Sequence, residues 1–294
     1  MSDFAIFHIE GGIGKHVAAT AVVECYKKNH PDTQIIVVCA WPEVFLLSPF
    51  IHRVYRIGSA PYFYQDYIYN KKVKVFAQEP YKQTSHLTKQ KHLIETWCDM
   101  IGVEYGNERP RVFFNFREKE VGCKLFAKLD KPLLLFQPFG GPGKEHQQHP
   151  YSWTRDIHPE IAQQLVNKLS TKYDIIHICY EFHPTLQNCT RFDQIVSKKV
   201  LFNLLGISDA RLLIDSSLQH AAAAMNLPST VVWVATESKL FGYSIHKNVE
   251  PETKHLQGTI DSYLFDYNFT GTIHECPYSS PNEIFNIDKI LSTL

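Results

Sequence analysis

The stretch from Leu212 to Pro228, LLIDSSLQHAAAAMNLP, restricts the fold more than any other part of the chain. Leu212, Leu213 and Ile214 close an apolar run of the kind that forms a buried parallel strand. Asp215, Ser216 and Ser217 are helix-capping residue types, and Leu218 to Met225 supplies good helix formers. Asn226 closes that helix, and Pro228 leads into a second apolar run, Ser229 to Val234. The order is strand, polar turn, short helix, strand. In an open parallel sheet such a turn lies at the carboxyl ends of the strands, where ligands bind. The unbonded N–H groups of the helix start, at the positive end of its dipole, suit an anion such as a diphosphate. His220 falls near the first turn and is expected to face the same crevice. The same residues also suit an ordinary strand–helix turn in which Asp215 is only a cap.

A related pattern stands near the start of the chain. Phe4 to Ile9 reads as a buried strand, followed by Glu10-Gly11-Gly12-Ile13-Gly14 and a helix from Lys15 to Asn29. His30-Pro31-Asp32 ends the helix, and Gln34 to Ala40 is the next strand. A strand–helix–strand unit with a glycine-rich first turn belongs to folds that bind phosphates or sugar nucleotides. The spacing is not GxGxxG, so no dinucleotide fingerprint is present. It is closer to the GGxGK[ST] loop of a deviant P-loop ATPase, through Gly11, Gly12, Gly14 and Lys15. Against that reading, His16 stands where a hydroxyl should hold magnesium, and no later strand ends in the paired acidic signature.

Between these two turns the chain alternates strands and helices. Short elements are expected at Pro42 to Leu47, Arg53 to Ile57 and Val73 to Phe76, with one helix over His86 to Ile101 and another over Glu118 to Leu129. Tyr62, Phe63, Tyr64, Tyr67 and Tyr69 form an aromatic cluster suited to core or lid packing, or to stacking on sugar rings. Asp130-Lys131-Pro132 reads as a linker dividing residues 1–130 from 131–294. Leu133 to Gln137 opens a second parallel sheet, and Pro138 to Pro150 is a loop rich in glycine and histidine. Its histidines fit no firm zinc spacing, and Lys144 suits a phosphate contact instead. Ile157 to Tyr173 is an amphipathic helix, and Asp174 to Cys179 a strand with Glu181 at its carboxyl end. A terminal helix is expected over Pro281 to Leu294, packing back on the first half.

Composition narrows the function classes. Lysine plus arginine and aspartate plus glutamate are 30 each, which argues against binding to nucleic acid or to a membrane surface driven by charge. Seven cysteines are scattered without a CxxC pair, several in apolar runs, as buried free thiols are in a reducing compartment. No basic segment followed by an apolar one opens the sequence, and no run approaches about 18 apolar residues. A cytoplasmic protein without an integral membrane segment is expected.

Two αβ halves, each opening on a strand and a glycine-rich loop, predict an α/β fold of GT-B type: two facing Rossmann-like domains with parallel sheets and a cleft between them. The motifs resemble those of the heptosyltransferase-like glycosyltransferases, glycosyltransferase family nine. That family opens with a strand, a GGIGD-type loop, a helix and a "YPDAEI"-like lead into the second strand; here the residues are GGIGK and NHPDTQI. Its second domain starts with a strand, a Gly-containing loop and a Trp before a long helix, as in LLLFQPFGG and Tyr151-Ser152-Trp153-Thr154. Its D-[ST]-G-x-x-H-x-A-x-A turn is matched by Asp215, Ser216, His220, Ala222, Ala224 and Pro228, with Ser217 in place of the glycine.

The resemblance implies inverting, metal-independent transfer of a heptose-like or other hexose sugar from a nucleoside-diphosphate sugar to a glycan or glycolipid acceptor, with no cofactor. Gly140, Lys144, Glu181, Asp215, Ser216, Ser217 and His220 would form the donor site, with Lys144 and His220 neutralising the leaving diphosphate. The chain departs from the pattern at two points. The loop aspartate that serves as base in the family is Lys15, and an ordinary lysine keeps its proton at pH 7. The lysine expected beside the Trp motif is absent at Tyr151 and Ser152. His16, and after it Glu10, are the candidate bases left on the Lys15 loop. The lost aspartate equally suits a non-catalytic protein that binds a nucleotide sugar or glycan.

Overall fold

The computed structural model describes residues 3–115, 130–140, 151–194, 196–257 and 276–294. Strand β1 (Phe4–Ile9), helix α1 (Ile13–Asn29) and β2 (Gln34–Cys39) make the first βαβ unit, as the sequence predicts. β3 (Arg53–Arg56), α2 (Phe63–Tyr67) and β4 (Val73–Phe76) follow, then α3 (Thr84–Leu87) and α4 (Leu93–Ile101). The expected single helix over 86–101 is broken because Lys89 takes φ 56°, a left-handed conformation that ends α3. The His92 side chain then caps α4 by accepting from the Ile94 N–H at 3.2 Å. The expected element over 42–47 is only a 3₁₀ turn, Pro42–Val44. The helix expected over 118–129 lies outside the described residues.

The second half begins with β5 (Leu133–Phe136), α5 (Pro159–Leu169), β6 (Asp174–Ile178) and β7 (Thr190–Phe192). It continues through α6 (Lys198–Ile207), β8 (Ala210–Ile214), α7 (Ser217–Ala224), β9 (Thr230–Val232), α8 (Ser238–Phe241) and β10 (Lys247–Val249). The terminal segment forms two short helices, α9 (Pro281–Ile284) and α10 (Ile287–Leu291).

All strand pairings are parallel, in two sheets ordered β3-β2-β1-β4 and β10-β9-β8-β5-β6-β7. The chain leaves β1 for β2 on one side and reaches β4 on the other, so the first sheet switches direction between β1 and β4. The second sheet switches between β5 and β8 by the same logic. Ligands bind outside the carboxyl ends at such points.

Side chains alternate across β8. Leu212 and Ile214 join the outer cluster, with Ile161, Leu165 and Val166 of α5, and Leu213 joins the inner one. That inner cluster runs from Phe7 and Ile9 of β1 through α1 and α7 to Leu135, Val231 and Trp233 of the second sheet. Helix α1 is buried almost all round from Lys15 to Tyr26, since it has a sheet on one side and α7 on the other. The terminal helices pack on the second sheet's outer cluster through Ile284 and Ile290, and Thr293 meets Thr230. This corrects the expectation that they return to the first half; their apolar residues complete the layer that α5 begins.

Six histidines are buried among the described residues, His16 and five others. Burial holds His86, His177, His183 and His246 down at about 4 and His220 at about 3, against an ordinary 6.5. The unfolded chain takes up these protons near pH 6.5 and the fold does not, so their contribution to stability is complete above that pH. It is lost as pH falls toward the folded values. Calorimetric melts should show about 2 kcal/mol lost per such histidine by about pH 5. Neither ring nitrogen of His177 has a hydrogen-bond partner among the described residues, and the ring packs against Phe136 and Phe139. His177→Phe should therefore raise the melting temperature and flatten its pH dependence; an unchanged acid slope would count against this assignment.

Candidate functional site

The turn after β8 forms as its residue types predict. Ser216 caps α7, its Oγ accepting from the Leu218 N–H at 3.2 Å and donating to Gln137 Oε1 at 2.5 Å. That second bond joins the two loops at the β5/β8 switch point. Asp215 is buried at 2% exposure, and its Oδ2 receives Arg155 Nη2 at 3.3 Å. Its Oδ1 is also covered but has no hydrogen-bond partner among the described residues. Gly140 follows β5 at the same edge, where its N–H donates to Asp156 Oδ1 at 3.0 Å. A Cβ on Gly140 would come within 3.2 Å of Ile214 Cδ1. Asp156 also accepts from the Ser152 N–H, and burial pushes its carboxyl up to about 7. Glu181 lies beyond the carboxyl end of β6, exposed, with its main-chain carbonyl accepting from Arg191 at 2.7 Å. Lys144 lies outside the described residues.

His220 takes a different place from the one expected. It is buried at 5% exposure, with Nδ1 on the Tyr243 hydroxyl at 2.7 Å and Nε2 at 3.2 Å from Gln219 Nε2. Its low pKa keeps it neutral at pH 7, so it cannot neutralise a phosphate. Its ring packs instead on Gly14, where a Cβ would lie 2.9 Å from His220 Cδ2 and 3.4 Å from the Ser217 Cα. The first turns of α1 and α7 are therefore in contact.

The glycine-rich loop also departs from expectation. His16 is fully buried, with Nδ1 2.9 Å from the Gly12 carbonyl and Nε2 3.1 Å from that of Ile9. Burial lowers its pKa, and both nitrogens face the main chain, so the ring braces the loop and has no nitrogen open to an acceptor. Glu10 is exposed and, among the described residues, approaches only His8, at 3.6 Å. Lys15 is 7% exposed and turns to Glu79, with Nζ to Oε2 at 2.6 Å and the Tyr81 and Trp97 rings at 5.8 and 5.6 Å. The cation required by a P-loop is thus engaged elsewhere.

Both α1 and α7 start at the carboxyl edge of a parallel sheet, and α1 has no side-chain cap at Gly12. Their N-termini meet at Gly14 and Ser217, which concentrates two positive dipole ends at one place. Around them, Tyr81 stacks on Phe241 at 6.1 Å and His92 Nε2 meets the Gly242 carbonyl at 3.0 Å. Lys89 pairs with Glu237 at the same junction. Two such helix starts side by side are suited to an anion.

Three residues here, Arg155, Gln137 and Glu79, escape the sequence reading, and a fourth, Tyr180, falls where it is expected, at the carboxyl end of β6. Arg155, two positions after Trp153, supplies a cation beside Asp215. Gln137 links the switch-point loops. Glu79 pairs with Lys15 across 64 positions, which no local pattern signals. Tyr180, 45% exposed, stacks on Phe182 with centroids 5.5 Å apart beyond β6.

No protein-family model and no curated protein matches this sequence. Solved structures do match its fold. A glycosyl transferase family 9 protein from Veillonella parvula superposes with a TM-score of 0.68 at 10% identity, covering 99% of this chain and 95% of that one. Escherichia coli ADP-heptose lps heptosyltransferase II gives 0.62 at 12% identity, covering 98% of each. E. coli heptosyltransferase WaaC with ADP gives 0.54 at 11%, over 84% of this chain and 92% of that one. The chain therefore has the two-sheet α/β fold of GT-B type that these glycosyltransferases share.

Because His220 is held by Tyr243, it cannot yield to a new methyl group at position 14. Gly14→Ala should destabilise the protein by about 1–3 kcal/mol in denaturant melts by forcing α1 from α7. Gly12→Ala, which meets nothing within 4 Å, is the matched control and should cost clearly less.

Proposed function

We propose that the protein is a glycosyltransferase that moves a hexose or heptose from a nucleoside-diphosphate sugar to a glycan or glycolipid acceptor. The observation that carries this reading is the contact between the N-termini of α1 and α7 at the facing switch points of two parallel sheets. The leaving diphosphate would lie on the N-terminus of α7, at Ser216 and Ser217, with the α1 end opposite. Arg155, held by Asp215, is the cation beside it, in the role expected of Lys144 and His220. Helix dipoles and a guanidinium stabilise developing phosphate charge without a metal, so transfer is proposed to be metal-independent and inverting. The exposed face of Tyr180 suits a nucleobase, and Gly140 lets the β5 loop pass close to Ile214.

A second reading, a binder without turnover, draws on the engaged state of the loop. Lys15 replaces the family's carboxylate and His16 is enclosed, so neither serves as base. The two readings share the donor site and differ in chemistry.

Thermal-shift screening against ADP-heptose, UDP-glucose, UDP-N-acetylglucosamine and GDP-mannose tests the shared part. A bound nucleotide sugar at 100 times its dissociation constant adds about 2.7 kcal/mol of stability. Ser217→Glu places a carboxylate where the diphosphate belongs and should abolish the shift while leaving the unliganded melt close to wild type. Arg155→Ala should weaken binding by roughly 10-fold or more. Unaltered affinity in both variants would remove the proposed site. Sugar transfer that survives EDTA would support the metal-free mechanism, and loss restored by magnesium or manganese would count against it.

A further inference from the structure

We infer that Glu79 is the general base of this site, taking over the role that the loop carboxylate has in the resembling family. The inference rests on the proposed transfer reaction and adds the group that removes the acceptor proton.

Position is the first argument. β4 lies beside β1 and parallel to it, so the segments leaving both strands emerge on the same edge. β1 ends at Ile9 and leads into the glycine loop, and β4 ends at Phe76, three residues before Glu79. This pair of strands is the switch point of the first sheet. Lys15, which holds Glu79, belongs to the first turn of α1, the turn whose Gly14 touches Ser217 and His220. Glu79 is therefore one side chain away from the two helix N-termini proposed to hold the diphosphate.

The second argument is the state of the carboxylate. Oε2 is fixed by the Lys15 ammonium at 2.6 Å, and the aromatic rings of Tyr81 and Trp97 flank that ammonium. The following Pro80 is buried, which anchors the chain just beyond the carboxylate. Oε1 is covered, yet it has no hydrogen-bond partner among the described residues, while the side chain as a whole is 41% exposed. One oxygen is oriented by the ammonium, and the other is a covered acceptor that no donor satisfies among the described residues, one that a hydroxyl reaching it would pair. Glu10, the remaining loop carboxylate, is 71% exposed and has no partner to orient it among the described residues beyond His8 at 3.6 Å.

The step balances as follows. The acceptor hydroxyl gives its proton to Glu79 Oε1, and its oxygen lone pair forms the bond to the anomeric carbon. The bond from that carbon to the diphosphate oxygen breaks, and its electron pair leaves with the nucleoside diphosphate. The proton on Glu79 is later lost to water.

Glu79→Gln alone would strand a buried ammonium and destabilise the fold, so the decisive comparison removes both charges. Lys15→Met is compared with Lys15→Met/Glu79→Gln, in the full chain. The donors are ADP-heptose, UDP-glucose and GDP-mannose, and the acceptor is an lps core oligosaccharide. Release of nucleoside diphosphate gives kcat and KM, and titration calorimetry gives donor affinity. The base assignment expects the double variant to lose roughly 100-fold or more in kcat relative to Lys15→Met, with donor affinity unchanged. The reversed pair Lys15→Asp/Glu79→Lys should regain about 10-fold or more over the double variant, since it returns a carboxylate to the loop. A loss below about 10-fold, or a loss of donor affinity in step with turnover, overturns the assignment. Wild type that binds a donor and never transfers overturns it too, and leaves the donor site standing. Wild type that binds none of the donors overturns the functional reading and the base with it.

Discussion

The structure depends on the close contact of α1 with α7. Gly14 has no side chain, and His220 and Ser217 occupy the space that one would take. Both helices also carry small residues, Ala18 and Ala21 on α1 and Ala221 and Ala222 on α7, buried in the same cluster. Small residues let two helices approach until their backbones are nearly in contact, and dispersion then accumulates over many atom pairs. Because the helices meet at their first turns, the carboxyl edges of both sheets are brought to one place. The absence of a side chain at Gly14 thereby brings the two switch points together.

That contact also explains what was legible in the sequence. The strand, cap and helix around Asp215 are local, carried by residues within a few positions of each other, and they form as read. The βαβ unit from Phe4 to Cys39 is equally local. His220 has the right spacing for a crevice residue, but its fate is set by Tyr243 and by Gly14, both remote in the chain. Once α1 presses on α7, the imidazole becomes part of the interface and burial keeps it neutral. The place of His16 on the loop suggests a base. Its position in the first turn of α1 turns it inward, onto the carbonyls of Ile9 and Gly12.

Arg155 and Glu79 were illegible for different reasons. Arg155 lies within the segment that the family motif highlights, but the motif asks for a lysine at another position, so an arginine two places after Trp153 carries no signal of its own. Glu79 follows a four-residue strand and has no motif at all; only the pairing of β4 with β1 brings it to Lys15. Long-range ion pairs leave no periodic trace, and a lysine in a glycine-rich loop invites a phosphate as its partner. The missed residues are thus those whose roles depend on strand order, which a single sequence specifies only through the whole fold.

Charge in the site is arranged in closed pairs. Lys15 is matched by Glu79 and Arg155 by Asp215, so these four side chains sum to zero before any ligand arrives. The positive potential that remains comes from the ends of α1 and α7, about half a charge each and fixed by the backbone. A diphosphate on those ends would compete with Asp215 for Arg155, whose planar guanidinium can serve two anions at once. Lys15 is enclosed by Glu79, Tyr81 and Trp97 and has no such freedom, so its charge stays committed to the carboxylate. On the proposed reading the two pairs differ in kind: one is a cation lent to the donor by a carboxylate, the other a carboxylate held for the acceptor by a cation. On that reading Glu79, just beyond the end of β4, supplies the acidic group that Lys15 cannot.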